Sequence, residues 1–259
     1  MRTEIIKELR YAIRSGRILI IFISFLFFAL LTPLMLKVIL PMVLNGQLGE
    51  EFAQDAGLNK LTQLDSIRNY MDDVVQIGTV IIAFTLCGLT ASEIRDHTWV
   101  LSLCSGKRFG LMLGAKLLVF GASLLIIPVL ALLADYGYSG ILFGFETGVL
   151  PIVYCGLLQG FYALFLLSCL TMWGVLLKRP VPAGFFTLIT AFGLHLISSL
   201  LNIQKWTPSG LIVEAQKIIL SGAPSLLLPL TMTTVLVILI TAFTLLWLRR
   251  MEWNVRDLH

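Results

Sequence analysis

The chain has 259 residues, of which 58% are hydrophobic and only 13% charged, with a formal net charge of +4. Soluble domains carry about a quarter charged residues, so this composition, with a mean hydropathy of +0.91, excludes a soluble globular class and points to an integral membrane protein. The small positive excess is spread along the chain, which excludes a nucleic-acid partner and leaves the basic residues to set orientation in the lipid bilayer.

A hydrocarbon core about 30 Å thick needs roughly 20 apolar residues per helix. The sequence has room for six such helices, and its runs are apolar all round rather than alternating as barrel strands do. The expected fold is therefore all-α and polytopic, a single transmembrane domain. Residues 1–17 hold Ile5, Ile6, Leu9 and Ile13 at helical spacing, with Lys7, Arg10, Arg14 and Arg17 available to phosphate head groups. That pattern predicts an amphipathic helix lying in the membrane interface; a plain basic flank anchoring the first span is the alternative.

The first span is expected over 18–40, with Pro33 as a potential kink and Lys37 snorkelling to its far end. It follows too long and too mixed a charged segment to be a cleaved signal, so it is expected to be retained. Residues 41–73 are the longest polar segment and carry six acids against Lys60 and Arg68. Within it Leu61, Leu64, Ile67 and Met71 recur every three or four residues, which predicts a helix running on into the second span over 74–91. The third span is expected over 111–133, interrupted by Pro128, and then an outer turn over 134–147 holding Asp135, Tyr136, Tyr138 and Glu146. A fourth span over 148–177, a short inner turn at Lys178 and Arg179, and a fifth span over 183–201 follow. Residues 202–225 are too short for two spans and too apolar for a simple loop, and predict an outer helical hairpin before the sixth span over 226–248.

With both termini inside, 14 of the 19 lysines and arginines fall on inner segments and five on outer ones. That split satisfies the positive-inside rule without a forced choice. The expected location is the cell membrane, multi-pass, with cytoplasmic termini.

The chemistry of the chain is mostly defined by what it lacks. Neither His-Glu-x-x-His nor the Gly-x-x-x-x-Gly-Lys-Ser/Thr phosphate loop occurs, so no metal, no cofactor and no catalysis are expected of this chain alone. Cys87, Cys104, Cys155 and Cys169 form no Cys-x-x-Cys pair, which argues against a disulfide framework or structural zinc. Polar side chains inside the membrane are functional candidates by default, and His195 and Gln159 are the clearest. The competing readings are a histidine satisfied by a neighbouring helix and an amide that bridges two helices. Gly156 and Gly160 are spaced as a Gly-x-x-x-Gly pair, which permits close helix approach and also arises by chance in glycine-rich spans.

The stretch from Ser92 to Lys116 is the longest charged interruption on the inner side. It holds Glu93, His97-Thr98, Leu101 and Leu103, Arg108, and Lys116 beside Gly114-Ala115. Together with the six spans and the amphipathic start, this segment resembles the permease subunits of ABC-2 type transporters. In that family the inner loop typically runs from a glutamate through a Gly-Thr step and a leucine-rich segment to a Pro-x-x-Arg turn, then Gly-x-Lys or Gly-Lys at the next span. Here His97 stands in place of the glycine, Ser105-Gly106 where proline is common, and Ala115 between Gly114 and Lys116.

The resemblance implies a cytoplasmic coupling helix over 93–105, docked on a separate ABC ATP-binding subunit. Glu93, Arg95, Asp96, Thr98, Trp99, Leu103 and Arg108 would make the contact, Trp99 on an apolar ridge and the charges at its rim. It also implies a second permease copy or related chain, as a homo- or heterodimer around a pathway, and export as the direction. The apolar spans favour an amphipathic peptide, lipid or drug-like substrate over a charged polymer. Two other classes compete: a non-pumping membrane scaffold or immunity protein that sequesters a peptide or binds another membrane protein, and an ion-coupled carrier, which would place more ionisable groups at mid-membrane than one histidine.

Overall fold

The structure is a computed structural model, and it describes residues 2–40, 42, 61–99, 104, 106, 109–221 and 227–250. Its described elements are helical, and six of its helices are long and apolar enough to cross a membrane. They run Arg17–Ile39, Gln63–Arg95, Phe109–Phe143, Val149–Leu177, Pro180–Leu200 and Leu227–Arg250. Glu8 on the N-terminal helix, the end of the second of these helices, the start of the third and Leu248 of the last meet at one end of the bundle, the terminus end.

The N-terminal helix, Arg2–Arg14, lies at that end. Glu4, Glu8 and Ala12 are buried on the protein side, whereas Ile6, Leu9 and Ile13 are exposed. The apolar residues on this helix thus point away from the protein, toward the space a membrane would fill, and its acids point inward. Gly16, at φ 67°, turns the chain into the first span. That span passes through Pro33 into a wide π-type turn at Met35–Ile39, and Lys37 reaches the ring of Phe143 at 5.2 Å, at the far end as expected.

The second span begins earlier than hydropathy suggests. Thr62 caps Gln63–Asp73, its hydroxyl accepting from the Asp65 N–H at 3.3 Å while Asp65 Oδ2 accepts from the Thr62 N–H at 3.1 Å. This reciprocal box satisfies two donors a helix start leaves unpaired. A π-type turn at Val74–Gly78 then carries the helix into the apolar part.

The outer turn expected over 134–147 is confined to residues 144–148. The third helix continues to Phe143, so its 35 residues span about 52 Å at 1.5 Å per residue. Asp135 is fully buried within it rather than in a solvated turn. Hydrogen bonds explain the extension: Gln63 Nε2 donates to the Tyr136 carbonyl at 3.1 Å, Gln63 Oε1 accepts from the Glu146 N–H at 2.9 Å, and the Tyr136 hydroxyl donates to the Thr147 carbonyl at 2.8 Å. Gly144, at φ 95°, ends the helix where only a residue without a Cβ turns easily.

The fourth span is the axis of the bundle, with 67% of its central window buried, against 11% for the sixth. The Gly-x-x-x-Gly pair is used there: a Cβ on Gly156 would stand 2.7 Å from the Val129 Cα, and one on Gly160 2.9 Å from the Leu125 Cα. The third and fourth spans therefore touch backbone to backbone. Before the sixth span, a short 3-10 turn at Gln204–Trp206 leads into a surface helix, Ser209–Ser221, whose Leu211, Ile212, Ala215, Ile218 and Ile219 are buried. This is the region read as an outer hairpin; residues 222–226 lie outside the described ones.

Candidate functional site

At the terminus end a buried lysine gathers three segments. Lys116, 1% exposed, sits seven residues into the third span, and its Nζ lies 2.9 Å from Glu8 Oε2 on the N-terminal helix and 2.8 Å from Glu93 Oε1 at the end of the second span. The second oxygen of Glu93 accepts from the Trp99 indole N–H. The ring of Tyr11 lies 5.6 Å from Lys116 Nζ and 5.5 Å from the Arg17 guanidinium, so it is flanked by two cations. Glu8 and Glu93 balance Lys116 and Arg17 in formal charge. The buried Lys116 is tolerated because both carboxylates pair with it, whereas Arg17 has only the Tyr11 ring, its buried Nη1 lacking a hydrogen-bond partner among the described residues.

Beneath it lies a small second core of Ile94, Trp99, Met112, Leu113, Val175 and Leu248. Trp99 is 2% exposed and its ring centroid is 6.2 Å from that of Phe109. The expected outward ridge carried by Trp99 is therefore corrected: the indole turns into its own chain, because its N–H finds Glu93 there and its rings find apolar cover. Thr98 is exposed, and its hydroxyl donates to the Glu93 carbonyl at 3.2 Å. Arg95 and Asp96 are both more than half exposed and pair at 2.9 Å. His97 holds φ 49°, the left-handed region that glycine favours. Leu103, Arg108 and most of the segment 93–105 read as a coupling helix beyond Trp99 lie outside the described residues; Cys104 is described and exposed.

Of the predicted loop residues, the structure thus brings Glu93, Thr98 and Trp99 together and leaves Arg95 and Asp96 facing out. Glu8 was missed. The signal was available in the spacing of Glu4 and Glu8, two acids one turn apart on an otherwise basic helix.

His195 and Gln159 do not meet. Gln159 is 3% exposed, and neither end of its amide has a hydrogen-bond partner among the described residues. It borders a void of ≈ 10 Å³ beside Thr79, Pro128 and Tyr162, about the room one water needs. His195 lies across Tyr162 from it, in a separate cleft of ≈ 510 Å³ between the second, fourth and fifth spans and the surface helix. Among the described residues no group of three or more histidine, cysteine or acidic side chains is arranged to hold a metal ion. No family model, curated protein or solved structure matches the chain.

Proposed function

We propose that the chain is the transmembrane permease subunit of an ATP-driven ABC-2 type exporter, lying in the cell membrane with both termini in the cytoplasm. It would pair with a second permease copy or a related chain and draw its energy from a separate ABC ATP-binding subunit. The observation that supports this reading best is the Lys116 group. It ties the N-terminal helix, the end of the second span and the start of the third into one unit, at the point where the inner loop leaves the membrane. Force applied to that loop would reach two spans at once instead of being lost in a flexible hinge. His97 adds a second support: its left-handed φ of 49° falls at the position where the family pattern has glycine. In this reading the exposed Arg95 and Asp96 face the ATPase, and Trp99 stiffens the loop from inside.

An affinity-tagged chain isolated from its native membrane should bring down an ABC-type ATP-binding subunit, with a short thiol-to-amine crosslinker reaching it from Cys104. Isolation of the intact chain with no ATPase, and no crosslink to one, would sink the reading. Orientation has its own test. Of the four cysteines Cys104 alone is exposed, so an impermeant maleimide should modify it in inside-out vesicles and leave it untouched in right-side-out ones. A cysteine introduced at Lys217 should show the opposite pattern.

A further inference from the structure

The cleft of ≈ 510 Å³ lies at the end of the bundle away from the termini. Its volume is in the range that holds a drug-sized molecule. Asp72 stands 23 residues before Arg95 in the second-span helix, which places it ~34 Å along the axis, at the far edge of a hydrocarbon core about 30 Å thick. A carboxylate at that depth is within reach of interfacial water. One of its oxygens, Oδ1, accepts from Gln216 Nε2 at 2.6 Å; the other has no hydrogen-bond or ion-pair partner among the described residues. No lysine or arginine is among the described residues lining the cleft. The basic residues nearest in sequence to the lining are Lys217, 2.8 Å from Glu214, and Arg68, one turn before Asp72, exposed and not among the lining residues.

The remaining walls supply the rest of a recognition site. His195 lines the cleft, and an imidazole can accept from an N–H donor when the ring is neutral. Tyr162 and Phe192 add aromatic surface, and Val213 completes the apolar side. One unpaired negative charge, a spare acceptor and aromatic faces together suit a cation that carries N–H donors and an apolar body.

We infer that this cleft binds an amphipathic ammonium compound, with the charged nitrogen at Asp72 and His195 and the apolar part against Tyr162, Phe192 and Val213. As a binding site it stands on the geometry alone; as the site of the transported substrate it rests on the permease reading. The same head group is offered by a soluble organic amine and by an aminophospholipid.

The test is calorimetric titration of the full-length chain in an uncharged maltoside detergent with 2-phenylethylamine, and with 2-phenylethanol as its uncharged counterpart. The amine should bind saturably and the alcohol at least about tenfold more weakly, the 1.4 kcal/mol step expected for losing a charge-assisted contact. Asp72→Asn should weaken the amine by about the same factor, and Val213→Trp should abolish binding by filling the cleft. Asp73→Asn should change nothing, because Asp73 instead accepts from the Thr32 hydroxyl at 3.0 Å. Equal amine affinity in wild type and Asp72→Asn, equal binding of amine and alcohol, or no saturable amine binding would each overturn the inference. Competition by added phosphatidylethanolamine and not by phosphatidylglycerol would assign the site to the lipid head group; no competition by either would assign it to a soluble amine. Because no ATPase is present, amine binding without ATPase capture would keep the site and reject the permease reading, and the converse result would do the reverse.

Discussion

Replacing Lys116 with methionine should destabilise the bundle by roughly 3–5 kcal/mol, the usual cost of removing one partner from a buried ion pair. The change leaves Glu8, with 4% of its side chain exposed, and Glu93, with 21%, facing each other without the cation between them. Two like charges in a poorly solvated site repel, and neither has a basic substitute: Arg17 contacts the Tyr11 ring and forms no ion pair with Glu8 or Glu93. The measurement is thermal unfolding in detergent, where a fall in Tm on the order of 10 °C is expected. A combined Glu8→Gln, Glu93→Gln, Lys116→Met variant should recover most of that loss, since it removes the stranded charges along with the lysine. An unchanged Tm for Lys116→Met would mean that the three segments are not held by this group.

The second large effect concerns the contact between the third and fourth spans. Alanine is a better helix former than glycine by about 1 kcal/mol, so a glycine with room around it should be improved by the exchange. Gly193, whose would-be Cβ has nothing within 4 Å, should follow that rule. Gly156 and Gly160 should break it. A methyl at either would meet backbone, the Val129 Cα at 2.7 Å or the Leu125 Cα at 2.9 Å, and backbone cannot step aside as a side-chain tip can. The helices must separate, at a cost of about 1–3 kcal/mol for each position. Melting curves of the three single alanine variants give opposite signs in this account. Stabilisation by Gly156→Ala or Gly160→Ala would show that the two spans do not touch backbone to backbone there.

What was legible in the sequence differs between these two features. The glycine pair was visible as a pattern, but its use was not, because Gly-x-x-x-Gly says that a close approach is permitted and not which helix makes it. Lys116 was visible as the basic residue opening the third span. Its partners came from 108 residues earlier and 23 residues earlier, and sequence distance carries no information about such meetings. Trp99 shows the sharper failure. An aromatic residue in a short charged loop reads as something to be offered to a partner, yet an indole N–H with Glu93 in reach is better satisfied inside.

The expected turn over 134–147 came out shorter for a related reason. Asp135, Tyr136 and Tyr138 lower the hydropathy of the segment, and a hydropathy reading ends the helix where the apolar run ends. Gln63 and Thr147 supply the hydrogen bonds that let the helix run on. The cleft was half visible, through His195 alone. Asp72 belonged to a polar segment that looked solvent-facing, and only the packing of the surface helix against the second span brings Gln216 to it.

By itself the sequence determined that this is a helical protein with six segments apolar enough to cross a membrane, because the bilayer tests each segment separately: a helix either hides its backbone in about 20 apolar residues or it does not cross. The tertiary structure alone decided which sides of those helices meet. Inside a membrane every face of a span is apolar, so the periodicity that marks the buried side of a soluble helix is absent, and small residues, stray charges and hydrogen bonds make the choice instead.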